Sequence, residues 1–485
     1  MSTTISASNG PNLSDRRWLV LAICCSSLLI VGMDATIVNI ALPAIQDDLH
    51  ASVAGLQWTV ASYTMVLASL LLLSGSAADR FGRARTFQVG LAVFTLASLG
   101  CSLAPTTGWL IASRVLQGIG ASMLNPVAMS IIRNTFEDPR ERAQAIGIWG
   151  AVFGLSMALG PVLGGVLVEL SWRAVFLVNI PIGIAAIALT AKYVPESRAP
   201  SARRFDPLGQ VLAFILLATV TSSIIEGSNL GWDSPWIAGG GILALVVLVV
   251  FIRHELRREE PLIELRFFGS RPFAGATAIA VVSFAAFSGF LFVNTLYLQD
   301  ARGLSAIAAG LCVLPMAAMT MVFSLISGRV LGRFGGRWPL FLGGIGMFAG
   351  TLMLVGLTTE TSLVWLLAAY TIYGAGFGAI NPPITNTAVS GMPAEQAGVA
   401  AAVATTSRMT GTTLGVAVIG AVATAGITGS LADGLAGASH AAWWLIAGLS
   451  LLVSVLGVIS TTVSAKESAV RTAERLEGGE SVAVL

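Results

Sequence analysis

The sequence predicts an all-α integral membrane protein of fourteen transmembrane helices, arranged as two six-helix parallel repeats with a two-helix hairpin inserted between them. Three observations carry this prediction. Of the 485 residues, 55% are hydrophobic and 11% charged, with a mean hydropathy of +0.82, a composition foreign to soluble globular and disordered chains. The apolar residues fall into runs of about 20, the length a helix needs to cross about 30 Å of hydrocarbon. Two segments also recur. Ser74-Gly75-Ser-Ala-Ala-Asp79-Arg80-Phe81-Gly82 returns 253 residues later as Ser327-Gly328-Arg-Val-Leu-Gly332-Arg333-Phe334-Gly335, and Gly118-Ile-Gly120-Ala-Ser-Met-Leu-Asn125-Pro126 returns 256 residues later as Gly374-Ala-Gly376-Phe-Gly-Ala-Ile-Asn381-Pro382.

Charges and Gly/Pro bound the runs at 18–40, 54–76, 86–104, 109–132, 143–168 and 174–194, the six spans of an N-terminal bundle (18–194) behind a polar tail at 1–17. The first run is too long for a signal peptide and lacks a small-residue cleavage site. Both copies of the first repeat follow an even-numbered outbound helix, so the halves are parallel repeats about an axis along the membrane normal. Helix two then maps onto helix ten, and helix four onto helix twelve. One six-helix half is shorter than the repeat offset by about one hairpin. The spans at 208–226 and 236–252 are therefore the inserted hairpin (208–252), between a Pro/Ser/Arg-rich linker at 195–207 and a connector at 253–272. In the connector, charges alternate with Leu, Ile and Phe, which suits either a short helix on the membrane surface or a solvated strap. Spans at 273–298, 304–327, 338–358, 362–388, 397–426 and 441–464 complete a C-terminal bundle (273–464), before a polar tail at 465–485 expected to be loosely ordered.

An even number of spans puts both termini on one side. Of the 27 Lys and Arg, only Arg114 and Arg408 are assigned to helices and Arg173 and Arg302 to the opposite face, so nearly all lie with the termini. That bias makes the terminal side cytoplasmic, and the net charge of +2 reports topology, not a nucleic-acid partner. Cys24, Cys25, Cys101 and Cys312 lie in apolar runs as small core residues, and His50, His254 and His440 form no metal-ligand pattern. No metal or organic cofactor is expected.

Asp34 interrupts the apolar run that begins at Trp18, about 24 Å along the helix. A charge at that depth costs about 3 kcal/mol or more unless it is paired or faces water. Arg114, early in span four, carries the same cost. These two residues are expected to share one polar network, with Asp34 the site where a proton comes and goes. Glu226 ends span seven as an interfacial residue, and Asp300 and Arg302 are expected to pair at the outer rim.

Several motifs name a family. Gly75-Ser-Ala-Ala-Asp79-Arg80-Phe-Gly82-Arg83-Ala-Arg85 resembles the cytoplasmic loop signature of the major facilitator superfamily, and Arg114-Val-Leu-Gln117-Gly118-Ile-Gly120-Ala121 resembles its helix-four motif. Gly150-Ala-Val-Phe-Gly154-Leu-Ser-Met-Ala-Leu-Gly160-Pro161-Val-Leu-Gly164-Gly165 is similar to its antiporter helix-five motif. Met33-Asp34-Ala-Thr-Ile-Val-Asn39-Ile-Ala-Leu-Pro43 and Trp172-Arg173-Ala-Val-Phe-Leu-Val-Asn179-Ile-Pro181-Ile-Gly183 are similar to the fourteen-helix drug:proton antiporters of the EmrB/QacA type. The loop departs from the usual pattern at Ala77 and Ala84, and its second copy has Gly332 in place of Asp79.

The resemblance implies a monomeric, proton-driven exporter of drugs or other amphipathic small molecules, with no cofactor but the proton gradient, in a bacterial-type inner membrane. A dedicated exporter of one metabolite or antibiotic is the first alternative, a solute importer the second, and a receptor or membrane enzyme a distant third. It further implies a switch role for Gly75, Asp79, Arg80, Gly82 and Arg83, exchange rather than uptake from the glycine stripe Gly150, Gly154, Gly160, Gly164 and Gly165 with Pro161, and a kindred family arginine at Arg408. Candidates to line the substrate cavity are Asn39, Gln57, Trp58, Tyr63, Gln117, Asn125, Phe290, Asn294, Tyr297, Tyr373 and Asn381, whose aromatic faces and amides suit amphipathic or cationic organic compounds.

Overall fold

The computed structural model describes residues 13–198, 206–258, 260–390, 392–393, 396–425 and 431–477, and every regular element in them is helical. The outer parts of both tails and most of the 195–207 linker lie outside the described residues. The N-terminal half contains α1 (Leu13–Leu49), α2 (Val53–Phe81), α3 (Arg83–Ser102), α4 (Thr107–Ser122) with α5 (Asn125–Thr135), α6 (Pro139–Leu170), and α7 (Ala174–Leu177) with α8 (Asn179–Tyr193). Next come α9 (Pro207–Leu230) and α10 (Pro235–Leu256), packed together as a pair, and a short 3-10 turn at Leu265–Gly269. The C-terminal half contains α11 (Arg271–Leu296), extended by a π turn at Tyr297–Ala301, then α12 (Ala306–Phe334), α13 (Arg337–Leu352), α14 (Leu363–Val389), α15 (Ala397–Thr424) and α16 (Leu431–Ile459), with α17 (Val463–Glu477) at the end.

Among the described residues, twelve helices are long and apolar enough to cross a membrane. The remaining two of the expected fourteen are α13, of 16 residues, and α15, whose middle is the polar stretch Thr405-Thr406-Ser407-Arg408. Helix starts are fixed by side chains that accept the free amides of the first turn: Ser52 from Gly55, Thr106 from Trp109, Asp138 from Arg140 and Glu141, and Ser305 from Ala308. α2 and α12 stop at Gly82 (φ +114°) and Gly335 (φ +76°), the last residues of the two repeated loops, where a positive φ favours glycine.

The duplication in sequence is a duplication in packing. A Cβ on Gly118 would meet the Tyr63 carbonyl of α2 at 2.7 Å, and one on its repeat partner Gly374 would meet Met316 Cα of α12 at the same distance. Gly120 is pressed on Gly90 and Phe94 of α3, as Gly376 is on Gly343 and Met347 of α13. Ser74 shares a 2.9 Å hydrogen bond with Ser122, while Ser327 donates to the Ala379 carbonyl at 2.5 Å.

α1 and α11 both run away from the face on which the chain begins. Near their far ends Gln299 donates to the Ile40 carbonyl at 2.9 Å. The other hydrogen bonds found between the halves among the described residues are Gln57 to the Val416 and Ala417 carbonyls, both 3.0 Å, and Thr413 to Thr64 at 2.9 Å. α6 crosses α12 in the same region: a Cβ on Gly165 would lie 2.8 Å from Ala306 O and Ile307 Cα, and one on Gly310 would strike the Pro161 carbonyl. Toward the face where the chain begins the two helices part. Gly154 has only Met321 near it, at 3.7 Å, and nothing lies within 4 Å of a Cβ on Gly150 or Gly147.

Two expectations are corrected. Val463–Glu477 is a helix rather than a loose tail, because Ala465, Ser468, Ala469 and Thr472 fall on one buried face and Ser468 and Ser464 accept from Arg271. Among the described residues Arg302 forms no bridge to Asp300; it donates to the Thr361 carbonyl at 2.6 Å, while Asp300 Oδ2 is buried with no hydrogen-bond partner. In the 253–272 connector, α10 runs on to Leu256 and α11 begins at Arg271; among the described residues between them the regular element is the 3-10 turn, with Arg266 clasping Glu264 at 2.8 Å. The crossing geometry makes a stability prediction. Gly165→Val is expected to cost about 1–3 kcal/mol, since the atoms it meets are backbone, whereas Gly150→Ala should leave thermal melting of the purified protein unchanged.

Candidate functional site

Asp34 and Arg114 meet at the centre of the N-terminal half. They are 0% and 1% exposed, with Arg114 Nη1 2.5 Å from Asp34 Oδ2. Asp34 Oδ1 accepts from Gln117 Nε2 at 2.9 Å and from Asn179 Nδ2 at 3.4 Å. The arginine is held from the other side by the Thr59 carbonyl (2.9 Å) and Gln117 Oε1 (2.7 Å), and lies over the Tyr63 ring, 4.2 Å from its centroid. Gln117 also donates to Ser98 Oγ at 3.0 Å. Helices α1, α2, α3, α4 and α8 thus each contribute to one cage. Gln117 follows Arg114 by three residues, so both point from the same face of α4. An ion pair so enclosed is tolerable in a membrane because the two charges meet directly and polar groups of the surrounding helices bond both partners.

The glycine stripe of α6 backs this cage. A Cβ on Gly160 would fall 3.0 Å from Thr36 Cβ and 3.1 Å from Met33 O, and one on Gly164 would fall 2.9 Å from Ile37 Cγ1. These α1 residues flank Asp34. One side of the stripe therefore packs on the Asp34 segment, while Pro161 and Gly165 pack across on α12. Absent side chains bring backbones this close.

The proposed switch loop holds its ion pair within itself: Arg83 Nη2 is 2.8 Å from Asp79. Glu196, unforeseen from sequence, caps the start of α3 by accepting from the amides of Ala84 and Arg85. At the distal rim Asp48 accepts from Trp172 Nε1 (2.9 Å) and Arg173 (2.7 Å).

The cavity candidates divide into groups. Gln117 and Tyr63 belong to the Asp34 cage, and Gln57 bonds across the halves. Trp58 donates to Glu226 of α9 at 2.8 Å. Phe290, Asn294, Tyr297 and Tyr373 are buried in the C-terminal half: Phe290 stacks on Tyr373 at 4.5 Å and abuts Trp443 at 5.4 Å, Asn294 accepts from Tyr370, and Tyr297 donates to the Thr358 carbonyl. Asn39 is buried, its amide turned to the Ala35 carbonyl. Asn125 and Asn381 are partly exposed.

Sequence reading missed one cluster altogether. At the base of the α9–α10 pair, Asp206, His254 and Glu255 bring ligand atoms within 4.8 Å of one another. Asp206 is already engaged by the Gly209 amide, His254 Nε2 and Arg258. Burial alone would raise its carboxyl, but these partners outweigh it and hold the group below its usual range. The cluster is a clamp joining the two helices. The chain positions are too far apart for any spacing rule to find it.

Comparison with known proteins agrees with this architecture. The model of the Major Facilitator Superfamily matches residues 24–416. The chain is 36% identical over 83% of its length to the multidrug resistance protein Stp of Mycobacterium tuberculosis, 75% of which is covered. It is 35% identical over 84% of its length to the tetracenomycin C resistance and export protein of Streptomyces glaucescens, 76% of which is covered. The crystal structure of a D-xylose-proton symporter superposes with a TM-score of 0.66 at 14% identity, covering 91% of this chain and 97% of that one, which speaks for the fold alone. With a buried ion pair, a glycine-packed crossing between two repeated halves and a family match over most of its length, the chain belongs to the Major Facilitator Superfamily.

Proposed function

We propose that this protein exports amphipathic, drug-like small molecules across a bacterial plasma membrane in exchange for protons, by alternating access between its halves. The observation that carries the reading is the Asp34–Arg114 pair. Ionised Asp34 ties α1 to α4 and α8 through Arg114, Gln117 and Asn179. A proton on Asp34 cancels its charge and weakens that tie. The affected segment of α1 packs on Gly160 and Gly164 of α6, and α6 meets the other half at Gly165. A change at Asp34 thereby has a short mechanical route to the contact on which the halves turn. Relatives named as multidrug and antibiotic export proteins, at 32–36% identity, support the direction and the substrate class.

The same reading takes α13 and α15 as membrane-crossing, for fourteen spans. α13 is packed between α14 and α16, and α15 lies between α11 and α2. α9 and α10 are then the inserted hairpin, whose α9 docks on α2 and α15. The excess of Lys and Arg on the terminal side makes that side cytoplasmic. Because the halves are bonded toward the distal face and α6 leaves α12 toward the terminal one, this is a form open to the cytoplasm. A dedicated antibiotic exporter is a second reading, favoured by the tetracenomycin C relative; a compound panel separates one active compound from many.

Asp34→Asn is expected to insert normally, yet to abolish substrate-driven proton release from purified protein and export into inside-out vesicles. Persistent proton release would exclude Asp34 as the carrier. Arg114→Gln leaves a buried carboxylate unpaired and should cost about 3–5 kcal/mol, much of it recovered in the double variant with Asp34→Asn; simply additive melting shifts would show that the two side chains do not act as a pair. Gly150→Leu should melt like the parent protein but slow exchange, because closing the cytoplasmic side brings that bare stretch of α6 against α12.

A further inference from the structure

We propose that Arg408 is an anion subsite in the C-terminal half, and that the exported compounds carry an acidic oxygen group such as a carboxylate, phenolate or enolate. The inference rests on the exporter reading and specifies its substrate class. Arg408 stands near the middle of α15. Its Nη2 donates to Thr385 Oγ1 at 2.6 Å and to the Asn381 carbonyl at 3.4 Å, and its guanidinium lies 5.9 Å from the Phe284 ring. All these partners are neutral. Among the described residues no carboxylate pairs with it, and its buried Nε–H has no acceptor. Arg114, the other arginine deep in the bundles, has its acid at 2.5 Å.

The difference is one of charge. In the two bundles the buried pair Asp34–Arg114 cancels, and Arg408 remains. A cation facing lipid would be costly, whereas Arg408 is partly exposed and stands between α11 and α14 of its own half, beside Met409, which packs on the core of the N-terminal half. Its open side therefore faces the space between the halves. A guanidinium is a planar fork of five donors matched to two oxygens, and here part of the fork is unused. Beside it, Phe284 meets Phe377 edge-on at 5.2 Å, and Phe377 stacks on Phe287 at 4.1 Å. These rings are 0–7% exposed and form a buried stack next to Arg408, which a flat aromatic body attached to the acidic group would extend. A cationic compound at the same place meets a charge of its own sign.

Fluorescein and rhodamine 6G share a xanthene ring and carry opposite charge, so in polarisation titrations of both dyes with purified full-length protein the change in their affinity ratio between variants reports the charge. The wild-type chain is expected to bind fluorescein the more tightly. Arg408→Gln should weaken fluorescein relative to rhodamine 6G by about 10-fold or more, the effect of losing a charged hydrogen bond, while Arg408→Lys retains most of the preference. Thr385→Asp offers Arg408 an internal carboxylate without removing it and should lower fluorescein affinity in the same sense. A wild-type preference for rhodamine 6G, no binding of either dye, or a ratio that Arg408→Gln leaves unchanged overturns the subsite. If dyes drive proton release while their ratio ignores Arg408, the subsite alone fails; if no compound drives proton release, the exporter reading fails with it.

Discussion

A charge inside a membrane has to be cancelled, solvated or used, and much of this molecule is arranged around the place where one is cancelled. Asp34 and Arg114 come from helices that the chain separates by 80 residues, and their pairing requires α1, α2, α4 and α8 to converge at one depth. Each neighbour fills a vacancy that the pair would otherwise leave: the Thr59 carbonyl and Gln117 Oε1 for the arginine, Gln117 and Asn179 amides for the carboxylate. The small residues of α6 follow from the same constraint, since α1 can be held this tightly only if the helix behind it presents no side chains at Gly160 and Gly164.

The duplication kept the packing and let the chemistry diverge. At the repeat offset of 256, Arg114 corresponds to Tyr370 and Gln117 to Tyr373. Where the first half builds an ion cage, the second builds a stack of rings, with Phe290 against Tyr373, Tyr370 and Trp443. The glycines that set the distance between helices recur in both halves because backbone contact does not depend on what neighbouring side chains do. The loop glycines Gly82 and Gly335 recur for the same reason, whereas Asp79 gave way to Gly332 in the second copy.

Much of this was legible from residues alone, for a physical reason. A carboxylate in an apolar run, a duplicated Gly-x-Gly and a positively charged terminal side are signals that need no tertiary context, and they located Asp34, its partner Arg114 and the two halves. What escaped were contacts decided by how separate elements dock. Trp58 looks like a cavity residue until α9 is seen to place Glu226 beside it. Asp206, His254 and Glu255 are unremarkable until the α9–α10 pair closes. The polar composition of Val463–Glu477 hides a helix, because its buried face consists of Ala, Ser and Thr. Asp300 and Arg302 are neighbours in sequence, yet Arg302 bonds the Thr361 carbonyl from a distant stretch of chain instead.

Among the described residues Asp34 is the sole buried acid of the two bundles, and in the exchange proposed above that scarcity would set a thermodynamic ceiling. With Asp34 as the carrier, one proton enters per cycle. Falling through about 150 mV, that proton releases about 3.5 kcal/mol, enough to hold a neutral solute at a concentration ratio of about 300-fold. An anion leaving a negatively charged interior adds the electrical part of the gradient a second time, so exchange of one anion for one proton moves two charges inward. For such a substrate the pump is a voltage-driven device as much as a pH-driven one.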